Sequence, residues 1–347
     1  MKKISVIIPC YNVAPYIDRC LTSVLNQTTG PADLEIICID DASSDNTWIH
    51  LQRWKSLWPD QVVLYRQKVN GRQGTARNIG LSIASADWIT FVDADDWLEA
   101  DCFELLYKPV TRFECDVVCC GWVRDYADSL TCFDDENRNA GAGEEQYIIG
   151  DGAELTRYLL RFKKLGAGPV GKLIRRKLLL DREIFFPEGL AYEDHYWSPL
   201  LHVYAEKIYF TGKNLYHYYV NPHSTALSRN SDHHMDWITV QMMKWKDYKK
   251  RGIWDRYCKE LEHDALRDAW GFLLWMIMQY DRPSFSLFRL EREFIREHVP
   301  DYRSDPYIAD FTELYRFLLE VLYSSVNREE FLQIVDQVKR HWTGIGG

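Results

Sequence analysis

Short, wholly apolar segments alternate with amphipathic ones through the first hundred residues, and this alternation constrains the fold more than any other feature of the chain. Ile4 to Pro9, Leu34 to Ile39 and Trp88 to Val92 are apolar on both faces, and Val62 to Tyr65 is a shorter run of the same kind. Between them, Pro15 to Gln27 repeats apolar residues at helical spacing (Ile17, Leu21, Val24, Leu25), as does Thr47 to Trp58 (Leu51, Trp54, Leu57). Thr75 to Ala84 reads as a third helix. Strands without a polar face, separated by helices, predict a mostly parallel sheet covered on both sides. Ligands of such sheets gather at the carboxyl ends of the strands. The polar clusters fall at those ends: Cys10-Tyr11-Asn12, Asp40-Asp41 and Asp93-Ala94-Asp95-Asp96. The pattern predicts one shared site.

The rest of the chain is less regular. Asp116 to Val123 reads as a strand, Asp134 to Gly152 as a Gly- and Asp-rich loop, and Leu155 to Phe162 as a helix. Gly166 to Gly171 reads as a connector, and Lys207 to Phe210 and Asn214 to Val220 as two strands. Beyond about residue 231 long amphipathic helices take over, with six of the 13 tryptophans. The expected organisation is an α/β domain over residues 1–230 and a helical domain over 231–347. At 347 residues, two domains are the natural prior.

Composition excludes several classes. Hydrophobic residues make up 46% and charged residues 27%, an ordinary globular balance. The net charge of −9 disfavours non-specific nucleic-acid binding. No apolar run reaches membrane-spanning length and the opening segment reads as a buried strand, so a cytoplasmic protein is expected. The nine cysteines form no paired C-x2-C spacing, and Cys10, Cys38, Cys119 and Cys120 lie in apolar runs, where thiols act as small hydrophobes.

Four clusters carry chemistry. Asp93 and Asp95 stand two apart at a strand end, a spacing that lets both carboxylates hold a hard divalent cation, which in turn neutralises a diphosphate. An acidic helix cap has the same composition. Asp40 is placed to accept the imide N–H of a uracil ring, with an N-cap cluster as the structural alternative. The loop Asn70-Gly71 to Ala76-Arg77-Asn78 enters a helix with glycine and arginine, a combination that favours an anion. Glu193-Asp194, among Tyr192, Tyr196 and Trp197, supplies candidate general bases, or an ordinary acidic helix start.

Taken in order, Val6 to Asn12 (VIIPCYN), Ile39 to Thr47 (IDDASSDNT), Asn70 to Asn78 and Phe91 to Asp96 (FVDADD) resemble the family-2 glycosyltransferases with the GT-A fold. Lys172-Leu173, Phe186-Pro187-Glu188-Gly189 and Tyr192-Glu193-Asp194 resemble the bacterial polysaccharide branch of that family. The resemblance covers roughly residues 1 to 230. It implies that Pro9, Tyr11, Asn12 and Asp40 line the base and ribose of a nucleotide sugar, with Gly71 and Arg77 near the diphosphate or base. It further implies Asp95 as ligand of Mn2+ or Mg2+, Asp93 at the ribose or the metal, Ala94 between them, and Asp194 as base with Glu193 as the fallback. The implied reaction is an inverting, metal-dependent transfer from a UDP-sugar to a glycan or lipid-linked acceptor of cell-surface polysaccharide. A nucleotidyltransferase and a non-catalytic sugar-nucleotide binder are the alternatives.

Several secondary roles are open from sequence. His217 reads either as a packed aromatic-strand histidine or as a metal or diphosphate contact. Ser224, Ser228 and Arg229 are candidates to close over the diphosphate, and Lys172 to orient donor or acceptor. The apolar run Ala269 to Met278 is of core-helix length. An interfacial surface at the inner face of the membrane and self-association are its other readings.

Overall fold

The computed structural model describes residues 2–126, 146–149, 153–166, 168–221 and 230–342. The chain divides into two compact units, Met1–Pro222 and His223–Gly347.

The first unit is built on a nine-stranded sheet. Its strands are β1 (Ile4–Cys10), β2 (Leu34–Asp40), β3 (Val62–Arg66), β4 (Trp88–Phe91), β5 (Trp97–Leu98), β6 (Val117–Tyr126), β7 (Gln146–Ile149), β8 (Lys172–Arg175) and β9 (Lys207–Val220). They run in the order β3-β2-β1-β4-β8-β6-β9-β5, with β7 added against β9. The helices of this unit are α1 (Ile17–Leu25), α2 (Thr47–Leu57), α3 (Arg72–Ile83), α4 (Cys102–Arg112), α5 (Ala153–Phe162), α6 (Arg176–Asp181) and α7 (Asp194–Tyr204). This is the GT-A arrangement.

β1 is the centre of the parallel half. Ile4 is in register with Leu34 of β2 on one side and Trp88 of β4 on the other. All seven β1 residues are buried, as a strand covered on both faces must be. α1 buries Ile17, Cys20, Leu21, Val24 and Leu25 against this sheet. α2 departs from the expected face. Leu51 is buried, but Leu57 is exposed, and Trp58, just past the helix end, packs on the core instead.

The sheet is more mixed than its sequence pattern predicts. Only β3, β2, β1 and β4 form a continuous parallel block. β8 is antiparallel to both β4 and β6, where the sequence shows only a glycine-rich connector. The two expected strands at 207–210 and 214–220 are one strand, β9. Gly212 takes φ 68 within it, and the pairing with β6 shifts register around Gly121, so a bulge carries the chain through what reads as a break. β5, two residues long, carries no periodicity to read.

The second unit contains α8 (Asp236–Lys250), α9 (Ile253–Gln279), α10 (Phe285–His298), α11 (Glu313–Tyr323) and α12 (Arg328–Trp342). The run Ala269 to Met278 lies inside α9. Ala269, Phe272, Leu273, Met276 and Ile277 are buried, so the core-helix reading holds and these side chains offer no face to lipid. No helix among the described residues is long and apolar enough to cross a membrane. Among the described residues seven cysteines are buried, all as free thiols, and burial pushes the Cys119 thiol up to about 12. These thiols are packing groups.

Candidate functional site

Because β1, β2 and β4 are parallel, their carboxyl ends open on one side of the sheet. The polar segments that follow them are tied together there. The backbone N–H of Asp41 donates to the Cys10 carbonyl (2.8 Å). Asn12, in the left-handed region (φ 51), accepts at Oδ1 from the Ser44 N–H (2.9 Å), the Ser44 hydroxyl (3.2 Å) and the Asp45 N–H (3.3 Å). Its side-chain carbonyl thus builds the loop after β2, while Tyr11 beside it stays half exposed.

Asp40 occupies a different position from the one its sequence context implies. Its carboxylate is fully buried, accepts from the Ser43 N–H (3.3 Å) and lies 2.8 Å from Nε of Arg66 on β3. The exposed group at this end is the Arg66 guanidinium, which also lies over the Trp48 ring at 5.1 Å. In this structure Asp40 presents no open edge to a base, because Arg66 covers it. The Gly71 amide is likewise engaged. It donates to Asp41 Oδ1 (2.7 Å), which also receives the Gln67 amide. Burial pushes the Asp41 carboxyl up.

The acidic turn after β4 holds three aspartates with three roles. Asp96 points into the wall. It accepts from the Tyr216 hydroxyl (2.5 Å) and the Tyr219 N–H (2.8 Å), both on β9, and burial raises its carboxyl well above the usual range. Asp93 is partly exposed, and its backbone N–H donates to the same Tyr216 hydroxyl (3.1 Å). Asp95 accepts from Asn221 Nδ2 (3.2 Å), while Arg19 Nη2 donates to its carbonyl (2.6 Å). Burial first, and then the neighbouring charge of Asp93, raises the Asp95 carboxyl. Two carboxylates that repel each other in a half-covered turn are a fitting pair of donors for a hard divalent cation. Among the described residues no group of three His, Cys, Asp or Glu side chains is placed to hold a metal, so further oxygens would come from water or a bound diphosphate.

Arg77 joins this turn to the second acidic motif. Its guanidinium, only 2% exposed, lies 2.8 Å from Asp93 Oδ1 and 2.6 Å from Glu193 Oε1, and donates to Gln73 Oε1 at 3.1 Å. The two carboxylates hold its charge firmly, well above the ordinary guanidinium range, against the opposing effect of burial. Arg77, expected near the diphosphate or base, is thus turned to these two carboxylates and has almost no exposed surface. Glu193 is 7% exposed and committed to Arg77, so the fallback base is a poor one as it stands. Burial raises its carboxyl, while Arg77 opposes the rise. Asp194, the first residue of α7, is only partly buried and faces a different environment.

The approach of α3 to the 186–193 segment is unusually close. Asn78 exchanges two hydrogen bonds with Phe186, giving Nδ2–H to its carbonyl (2.8 Å) and accepting its N–H at Oδ1 (3.0 Å). Gly74 makes this contact feasible by lacking a Cβ.

Two expected participants are otherwise employed. His217 packs on Trp97 (5.0 Å), with Nδ1 2.8 Å from Asp125 and Nε2 2.9 Å from Glu99. Both ring nitrogens are taken, so it is the packed histidine and not a metal ligand in this arrangement. Lys172 is buried and donates to the carbonyls of Gly168 (2.6 Å) and Val170 (3.1 Å), fixing the connector. Burial pulls its ammonium down, and Asp194 is among the charges opposing that. Ser224, Ser228 and Arg229 lie outside the described residues. Sequence reasoning missed Arg66, Tyr216 and Asn221, whose importance rests on strand pairing and not on any local motif.

Residues 5–182 match a family model described as "Glycosyl transferase family 2", a little over half of the chain. The chain belongs to that family. "Glycosyltransferase GlyA" of Streptococcus pneumoniae is 30% identical over 227 residues, covering 65% of this chain and 31% of the relative. "Poly(ribitol-phosphate) beta-glucosyltransferase" of Bacillus spizizenii is 28% identical over 221 residues, covering 63% and 32%. This family-2 chain therefore spans about a third of the length of those two relatives. Among solved structures, S. aureus TarS 1-349 in complex with UDP-GlcNAc aligns with a TM-score of 0.51 at 18% identity, covering 97% of this chain and 83% of that one. At that identity the likeness is one of fold.

Proposed function

We propose that this chain is a glycosyltransferase that moves a sugar from a UDP-linked donor to a glycan or lipid-linked acceptor in cell-wall polysaccharide synthesis, with inversion at the anomeric carbon. The observation that carries the reading is that one buried arginine, Arg77, pairs with Asp93 in the acidic turn after β4 and with Glu193, the neighbour of Asp194 at the start of α7. Family membership and relatives named as poly(ribitol-phosphate) glycosyltransferases support the substrate class.

The chain's own residues divide the work. Tyr11 and the exposed guanidinium of Arg66, held in place by the buried Asp40, receive the base. Asp93 and Asp95 would hold Mn2+ or Mg2+, which when bound would stabilise the charge of the departing diphosphate. Asp194 takes the proton of the acceptor hydroxyl as that oxygen attacks the anomeric carbon from the face opposite the leaving group.

A thermal-shift series with UDP, GDP, dTDP and CDP, each with and without Mn2+, tests the donor side. A nucleotide at about 100 times its Kd stabilises the fold by ~2.7 kcal/mol. The expected result is a Mn2+-dependent rise with UDP that disappears in Asp95→Ala. In Asp194→Asn the rise persists while transfer is lost. Equal transfer by Asp194→Asn and the parent would remove Asp194 from the role of base.

A further inference from the structure

We propose that Arg77 is a positioning residue: its buried guanidinium fixes the distance between the Asp93 turn and the start of α7, so that the donor-side carboxylates and Asp194 share one geometry, and it does not touch the donor. The inference deepens the glycosyl-transfer reading and rests on it for its kinetic arm.

The argument starts from burial. An arginine that bound a diphosphate would show its guanidinium to the cleft, whereas Arg77 is 2% exposed. Burying that charge is costly unless it is paired on more than one side, and here it is. Asp93 lies 16 positions away in sequence and Glu193 lies 116 away, so a single planar fork joins α3, the end of β4 and the start of α7. The bonds go to different nitrogens, Nη2 to Asp93 and Nη1 to Glu193, at 2.8 and 2.6 Å. Lysine is a point charge on a flexible stem and cannot reproduce two directions at once. The Phe186 ring, 5.4 Å from the guanidinium carbon, lies on Trp197 at 4.8 Å and 7°, so the fork rests on a stacked aromatic pair. The backbone N–H of Trp197 in turn donates to the Glu193 carbonyl (3.1 Å), which closes the first turn of α7 directly behind Asp194. A displacement of Arg77 is therefore a displacement of Asp194 relative to Asp93.

The test compares Arg77→Lys, Glu193→Gln and the double variant with the parent in UDP-plus-Mn2+ thermal shift, transfer kinetics, and hydrogen exchange at amides 195–197. A misplacement of about 1 Å in a catalytic constellation costs on the order of 100-fold in rate. The expected result for Arg77→Lys is a kcat loss of that size, a donor KM within a few-fold of the parent, and faster exchange at 195–197 with α2 unchanged. Glu193→Gln, which keeps the shape but removes one charge, is expected to lose less. The double variant should fall no further than Arg77→Lys alone, because both act through one link. A donor KM raised in Arg77→Lys with kcat intact would overturn the proposal and make Arg77 a donor ligand. Parent-like exchange and kcat together would overturn it as well. If the parent transfers no sugar from any nucleotide donor while the exchange result stands, the proposed activity fails and the linkage through Arg77 survives.

Discussion

Adding one methyl group at Gly74 places an atom where the structure has no room for it. An ideal Cβ there would sit 2.4 Å from the Pro187 carbonyl oxygen, 3.2 Å from Phe186 Cβ and 3.3 Å from Glu193 Cγ. Comfortable contacts lie near 3.5 Å, so the backbone at Pro187 must retreat by about 1 Å. Overpacking of this kind costs roughly 1–3 kcal/mol, and alanine returns about 1 kcal/mol in helix propensity over glycine. The net loss of stability is therefore small, on the order of 0–2 kcal/mol. The effect on turnover is expected to be larger, because the displaced segment carries Glu193 and Asp194, and about 1 Å there costs on the order of 100-fold. Gly80→Ala is the matched control. Its Cβ would meet Ile7 Cγ2 at 2.3 Å, an equally severe clash directed into the sheet core and away from the acidic motifs. Melting curves and transfer rates on both variants decide the matter. Gly74→Ala should lose turnover out of proportion to its melting temperature, and Gly80→Ala the reverse. Full turnover in a folded Gly74→Ala, or equal losses in both at equal stability, would refute the account of how α3 sets the site.

Two further expectations concern the helical unit. Glu291 on α10 is fully buried, neither oxygen has a hydrogen-bond partner among the described residues, and burial alone pushes its carboxyl well above the usual range. A group with a raised folded value contributes its full stability below the ordinary carboxylate pKa and loses it as pH rises toward the folded one. Glu291→Met is thus expected to stabilise by roughly 1–3 kcal/mol. Urea melts at about pH 5 and about pH 8 should show the larger gain at the higher pH, and an equal gain at both would discard the explanation. Lys244 on α8 is also buried, 2.6 Å from Asp264 and 3.5 Å from Asp268 on α9. Lys244→Met removes the cation that pairs with two buried carboxylates and is expected to cost about 3–5 kcal/mol. Much of that should return in Lys244→Met with Asp264→Leu, and strictly additive losses would show that the pair is not coupled.

The parallel half of the sheet was legible because its strands are apolar on both faces, a pattern few other arrangements produce. The acidic turn and the Glu193-Asp194 pair were legible as clusters. Their assignment was not, since inward and outward carboxylates look alike in a string of letters. Asp96 and Glu193 turn out to be wall and strut, and only the tertiary positions of Tyr216 and Arg77 decide this. Arg77 illustrates the same difficulty. A glycine-flanked arginine at a helix start is the sequence sign of an anion site, and nothing nearby reveals that two distant carboxylates have already claimed it. β8 and the continuous β9 escaped because their pairing partners, not their own residues, make them strands.

The pairing of Asp40 with Arg66 has a consequence for how such a site can diverge. The two residues stand side by side in the register of β2 and β3, and β3 is the outermost strand of the sheet. Neither can change alone without stranding a charge, but a concerted exchange of both alters the exposed edge of the sheet while leaving the packed interior alone. Arg77 answers to Asp93 and Glu193 together, so its replacement demands three simultaneous changes at the centre of the molecule. The pair at the sheet edge can accordingly vary as a unit of two residues, whereas the buried arginine and its carboxylates can vary only as a unit of three.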